Sequence, residues 1–381
     1  MTKKLALAAL ASLLTVVAAC GSGTAPGPGA AGLPAVLTLQ AIQDLTGPAG
    51  YAGVAVQQGA MVALEEINTT RFLGATTLGI DYSDTRSDRQ QAGILASRAV
   101  ASGTPLLLGT VASTSGQVMS PIVERAALPT IYTISTANGV NIGRYTYRSS
   151  VPASNMVPAL APVLVARGIT TMSIIHDSDS DGTVLLGTKA MPELARRANV
   201  RVLGTRVTQS TQGDYAAVVA ATLADKPGAV AIAPVTEAGG TGMIRALRLA
   251  GFTGPIVASG VLATGAVKAL GAAAGDVFWT VAFHKDRSSD ATRHFDALFR
   301  AKYDADPNEY HASGYDQVWT AARALKAASS VDRAAVLQGL EKVAAEGFSG
   351  SSQDLRYTDR DLATASPAVV AWVKDHEQLQ N

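Results

Sequence analysis

Residues 105–136, PLLLGTVASTSGQVMSPIVERAALPTIYTIST, constrain the fold more than any other stretch. Two short apolar runs, 106–108 and 130–133, flank a hydroxyl-rich loop and a helical pattern. Strands covered on both faces read as continuous apolar runs, and a connection of this length between two of them is a right-handed crossover helix, so the segment is one βαβ unit. The loop 110–116, which carries Ser113 and Ser115, then lies at the carboxyl end of a parallel sheet, where open α/β sheets bind ligands. Thr114 and Gln117 fit a capping box that leaves the Ser115 hydroxyl and free N–H groups at a positive helix end, suited to a small anion. Ser and Thr also cap helices where no ligand binds, and Ser120-Pro121 offers a later helix start.

The same alternation runs through the chain. Strand-like stretches at 36–42 and 78–83 are followed by helical patterns, one ending near 68 and one opened by Ser87-x-x-Gln90, and residues 145–149 close a first series. A second series has strands at 172–176, 200–207, 229–233 and 255–258, with helices at 182–197, 214–224 and 242–250. Helices near 288–303, 311–328 and 331–345 and a strand at 368–373 complete both. A chain of 381 residues exceeds one ordinary core. The expected fold is α/β, with two doubly wound parallel-sheet lobes.

At the N-terminus, Lys3 and Lys4 precede an apolar run, 5–18, too short to span a membrane but right for a signal core. It ends in Val-Ala-Ala-Cys20, which resembles a bacterial lipobox, and Cys20 is the only cysteine. Residues 1–19 are expected to be a lipoprotein signal peptide and 20–34 a flexible Gly/Pro/Ala tether. The GxGxxG within that tether follows no strand, so it is no dinucleotide site.

Several functions are excluded or left without support. A net charge of +1 with 16% charged residues gives nucleic acid no purchase. No Gly-x-Ser-x-Gly elbow or phosphate loop occurs, so no catalytic centre is expected. Residues 177–182 copy half an EF-hand, but Thr188 stands where a bidentate Glu is needed, and the histidines lack metal-ligand spacing. No metal or cofactor is expected.

Leu45-Thr46-Gly47-Pro48, Asp84 with Asp88, Ser115-Gly116, Ser135-Thr136, Arg148, His176-Asp177, Gly213-Asp214-Tyr215 and Gly314-Tyr315-Asp316 fall in one order and spacing. In these features the chain resembles the type I periplasmic solute-binding proteins of the branched-chain amino acid and amide uptake class. The resemblance implies two lobes, 35–149 plus 282–346 and 150–281 plus 347–381, joined by a three-strand hinge near Ser150, 280–283 and 347–350. It places Ser115 and Thr136 on the ligand carboxylate or amide, supported by Ser113, Ser135 and backbone near Ile134, and Ala52, beside Tyr51, where some members set an aromatic over the ligand side chain. Thr236 falls where the second lobe often supplies an aromatic, and Ser259 where amino acid binders carry an acid. A buried ammonium needs a paired charge, so either Asp181 or Glu237 supplies it or the ligand is no standard α-amino acid. The implied protein is an extracytoplasmic, lipid-anchored receptor that captures a small polar solute and hands it to the membrane permease of an ABC importer. A ligand sensor of the same fold is the alternative, and a secreted α/β hydrolase a more distant one.

Overall fold

Buried apolar strands organise the chain into two sheets. The computed structural model describes residues 32–209, 212–352, 354–363, 367–374 and 376–380, so the signal peptide, Cys20 and the tether up to residue 31 lie outside the described residues. The tether was expected to run to 34, but Gly32 already donates its N–H to the Ser329 carbonyl at 3.1 Å and Leu33 packs on the first core. Among the described residues no helix is long and apolar enough to cross a membrane.

The first series runs β1 (Val36–Gln43), α1 (Gly50–Thr69), β2 (Thr77–Asp84), α2 (Arg89–Ala101), β3 (Leu107–Leu108), α3 (Ser113–Arg125), β4 (Thr130–Tyr132) and β5 (Thr146–Arg148). The chain then passes through α4 (Ala153–Met156) and α5 (Ala161–Ala166) into β6 (Thr171–Asp177), α6 (Asp181–Leu185), α7 (Met191–Arg197) and β7 (Arg201–Thr208). It continues with α8 (Ala216–Ala224), β8 (Ala229–Ala233), α9 (Glu237–Leu249), β9 (Ile256–Ala258) and β10 (Val277–Val281). Three helices follow, α10 (Asp290–Tyr303), α11 (Glu309–Ala328) and α12 (Arg333–Glu346). The last strands are β11 (Phe348–Ser349), β12 (Asp354–Thr358), β13 (Asp361–Ala363), β14 (Ala368–Val373) and β15 (His376–Gln380).

The first sheet has the order β11-β12-β13-β5-β4-β3-β1-β2 and the second β15-β14-β10-β9-β8-β6-β7. Each is covered on both faces. Leu39, Ile131, Phe295, Leu325 and Leu340 sit between the first sheet and α1, α10, α11 and α12, while Ile42, Leu95, Met119 and Val123 fill its other side under α2 and α3. In the second lobe Ile175 and Trp279 face α8 and α9, and Ile174 and Phe278 face α7 and residues 157–164.

Three expectations need correction. Residues 347–363 do not belong to the second lobe: β12 and β13 pair across a two-residue turn and β13 adds to β5, Asp361 opposite Arg148. Asp359 and Arg360 both have positive φ, the hairpin turn whose twist matches the strands. The third passage therefore lies between Ala363 and Ala368 rather than at 347–350, and residues 364–366 are outside the described set. The helix expected over 182–197 is interrupted by a π turn, Leu186–Ala190. Pro192 donates no backbone hydrogen bond, and a Cβ on Gly187 would lie 2.3 Å from the His176 ring. The expected capping box at Thr114 is absent: α3 begins after Ala112 with no side-chain cap, and Gln117 donates to the Asn138 carbonyl instead.

Two glycines set the distance between α1 and α11. A Cβ on Gly59 would lie 1.8 Å from the His311 carbonyl oxygen, and one on Gly314 would lie 2.0 Å from that of Val56. Gly59→Ala and Gly314→Ala are each expected to lower stability by roughly 1–3 kcal/mol through overpacking. Thermal unfolding checks this, and an unchanged Tm would contradict so close a crossing.

Candidate functional site

A cavity of about 320 Å³ opens between the carboxyl ends of the two sheets, within the size range of small-molecule sites. The first lobe supplies Tyr51 and Ala52 from the start of α1, Ser113 and Thr114 from the start of α3, and Ile134 and Thr136 from the loop after β4. The second lobe supplies Asp179, Ser180, Gly182 and Thr183 around α6, Pro234 and Val235 after β8, and Ser259 and Gly260 after β9. The passages between lobes contribute Ser149, Ser150, Thr280 and Ala282, and α11 contributes Glu309, Ser313 and Asp316.

A buried carboxylate holds the first-lobe rim. Asp44, fully buried just beyond β1, accepts from the Thr85, Thr110 and Ser115 hydroxyls and from the Ala112 N–H. Ionised carboxylates accept only, so four donors suit it well. This is why Ser115 does not reach the cavity: its hydroxyl points down into the loop and its side chain is fully buried. Ser113, two residues earlier, faces the cavity while its Oγ accepts the Ala137 N–H at 3.1 Å.

The second rim loop is strained into shape. Ile134 has φ +61°, and the Ser135 N–H donates back to the Thr133 carbonyl at 2.7 Å, a tight γ-turn of the rare hand. Such backbone costs on the order of 1–3 kcal/mol and persists only where its surroundings enforce it. Here Arg148 enforces it, donating to the Ser135 carbonyl at 2.8 Å while Nε and Nη2 clamp Asp361 at 2.8 Å each. Ser135 is turned inward, its hydroxyl on the Thr110 carbonyl, and does not line the cavity. Thr136 does.

On the other side, Ser259 lines the cavity, but Asp181, Thr236 and Glu237 do not. Asp181 is the exposed first residue of α6, behind Ser180, whose side chain caps that helix. Thr236 is occupied as the cap of α9, accepting from Gly239 N–H at 3.0 Å. Glu237, in the first turn of α9, is half-buried, and its charge helps hold the Tyr51 hydroxyl above its ordinary range, an effect dominated by burial.

The lobes meet across the cavity. A Cβ on Gly182 would lie 3.3 Å from both the Ser113 Oγ and the Thr136 Oγ1, and the Tyr51 hydroxyl donates to the Val235 carbonyl at 3.3 Å. Tyr51 stacks edge-on against Tyr310, ring centroids 5.8 Å apart, walling one end.

Sequence reasoning missed Asp44, Glu309 and the Asp316–Ser351 contact. Asp316 accepts the Ser351 N–H at 2.7 Å and its hydroxyl at 2.8 Å, and burial pushes its carboxyl up to about 7. The signal for Asp44 was a lone acid at the exit of an apolar strand. Glu309 reads as an ordinary first-turn acid after the Asn308 cap.

Residues 38–377 match the model of a family described as periplasmic binding protein. No curated protein matches the sequence. Among solved structures, a leucine-binding protein from Thermotoga maritima superposes with a TM-score of 0.83, at 22% identity over 91% of this chain and 98% of its own. The branched-chain amino acid transporter substrate-binding protein of Streptococcus pneumoniae, in complex with isoleucine, gives 0.81 at 16% over 91% and 99%. An ABC transporter solute-binding protein from R. palustris, in complex with benzoate, gives 0.81 at 16% over 90% and 95%. The fold is that of these two-lobed receptors, and the chain belongs to the periplasmic binding protein family, a family of binding proteins rather than enzymes.

Proposed function

We propose that this protein is the extracytoplasmic solute-binding component of an ABC importer, anchored by lipid on Cys20, and that it captures a small polar solute by closing its lobes. One observation carries the reading: the Ser113 and Thr136 hydroxyls of the first lobe and the start of α6 in the second converge on a shared cavity. Small hydroxyls and first-turn amides suit a carboxylate or amide, and contacts from the second lobe exist only when the clamp is shut, which is what lets solute bias closure. Neighbours solved with isoleucine and with benzoate support a solute of that size.

Mass spectrometry of solute released from the purified protein tests the reading, together with thermal shift against branched-chain amino acids, short amides and urea, and small aromatic acids. A true solute at a hundredfold excess over Kd stabilises by about 2.7 kcal/mol. A panel without any shift, and protein that releases nothing, would end it. Thr136→Val removes a cleft hydroxyl while keeping shape, so the Kd for that solute is expected to rise about tenfold, roughly 1.4 kcal/mol, with little change in the Tm of free protein. Titration calorimetry reads the first and thermal unfolding the second. Cys20→Ser is expected to move the protein from the membrane fraction to the soluble fraction of its host, and retention would remove the lipid anchor from the reading.

A further inference from the structure

The charged lining of the cleft is one-sided. Its ionisable residues other than tyrosine are Asp179, Glu309 and Asp316, with no Lys, Arg or His among them. Asp179 is exposed, and Asp316 is satisfied by Ser351. Glu309 differs from both. It is half-buried at the start of α11, its Oε2 accepts the Ala282 N–H at 3.0 Å, and no cation is paired with it among the described residues. Burial, with a smaller push from the acid Glu377, raises its carboxyl to about 8, so the free protein holds it protonated at neutral pH.

The cap of α11 does not need that carboxylate. The cap of α11 is Asn308, which accepts from the Tyr310 and His311 N–H groups at 3.0 and 3.3 Å while His311 Nδ1 accepts the Asn308 N–H at 2.9 Å. An acid in a first turn adds about 0.3–1 kcal/mol, whereas an uncompensated buried charge costs several. Yet the second lobe makes room for it: a Cβ on Gly260 would lie 2.5 Å from Glu309 Oε1 and 3.3 Å from the Thr280 carbonyl oxygen. Glu309 thus reaches from a first-lobe helix to the second-lobe turn after β9, inside the cavity, and lacks only a counter-charge.

We infer that Glu309 is the counter-charge for a positively charged nitrogen of the solute, so that the cleft takes amine- or amidine-bearing solutes and rejects those whose only charge is negative. The inference rests on the reading of the cleft as a solute site and adds the chemical class. A cation between Glu309 and the Thr280 carbonyl would draw the proton from that carboxyl and pair with the carboxylate, whereas a purely anionic solute would meet a lining with no Lys, Arg or His to pair with it.

The test uses matched pairs on protein refolded free of solute: L-leucine with 4-methylpentanoate, L-phenylalanine with 3-phenylpropanoate, and acetamidine with acetamide. In at least one pair the nitrogen-cation member is expected to bind at least a hundredfold tighter than its partner. Glu309→Gln is expected to cut that preference below tenfold while the free protein keeps or raises its Tm. Uncharged or anionic members binding as tightly as their cationic partners, or a variant that keeps the wild-type preference, overturns the inference and leaves the cleft a solute site. If no member of any pair binds, and nothing in the broader panel does, the solute-site reading falls and the inference falls with it. The preference of the wild-type protein decides the matter even if the variant fails to fold.

Discussion

The buried carboxylate of Asp44 is the interaction on which the first half of the clamp depends. It lies at the exit of β1 with no exposure to solvent, and the donors that satisfy it come from the loop after β2 and the loop after β3. A buried charge tolerates no missing partner. Each of those loops is therefore held in one arrangement by the need to keep Asp44 fully bonded, and Ser113 is aimed into the cleft because its neighbours Ala112 and Ser115 are tied down. A neighbouring layer of amides extends the arrangement. Gln43 Nε2 donates to the Gly109 carbonyl at 2.7 Å, and Gln317 Nε2 donates to that carbonyl and to Ile131, locking β1, β3, β4 and α11 together beneath the rim.

Much of this architecture could be read from the residues, because burial on both faces leaves a simple mark. The runs 229–233 and 368–373 are strands at those bounds, and the family's spaced motifs placed the cleft at the ends of β1, β3 and β4. What could not be read was direction. Ser113 and Ser115 are equally plausible ligand hydroxyls in one dimension, and only the position of Asp44 in space decides that one faces the cavity and the other faces down. The same holds for Asp181 against Asp179 and Ser180: a shift of one or two residues at a helix start rotates a side chain from cleft to solvent. β10 escaped notice although Val277–Val281 is wholly buried, since VFWTV follows an Ala/Gly stretch whose 3-10 turns carry no helical period. The hairpin of β12 and β13 escaped because its turn is Asp-Arg, where Asn-Gly would have marked it.

The acid of the cleft is a further case where local reasoning stops. The sequence directed attention to loops of the second lobe, Asp181 and Glu237, because a charge facing Ser259 was sought nearby in the chain. The structure brings a carboxylate to Gly260, the next residue, from α11 in the other lobe. A side chain that crosses between lobes is invisible to spacing.

The two lobes also treat equivalent acids unequally, and that inequality bears on how the clamp works. Asp177 ends β6, which lies beside the edge strand β7 of the second sheet, much as Asp44 follows β1, which lies beside the edge strand β2 of the first. It too is fully buried, but it accepts one bond, from the Val235 N–H at 2.7 Å, and its Oδ1 has no protein partner. Burial accordingly holds its carboxyl above the ordinary range. The first rim is tied by four bonds to one buried carboxylate, whereas the Asp177 carboxylate ties its own rim by one, the Thr183 hydroxyl bonding instead to the Asp177 and Ser180 carbonyls. For the solute capture proposed above, docking on the prepared face before the other adds its contacts would leave the smaller reorganisation to the last step.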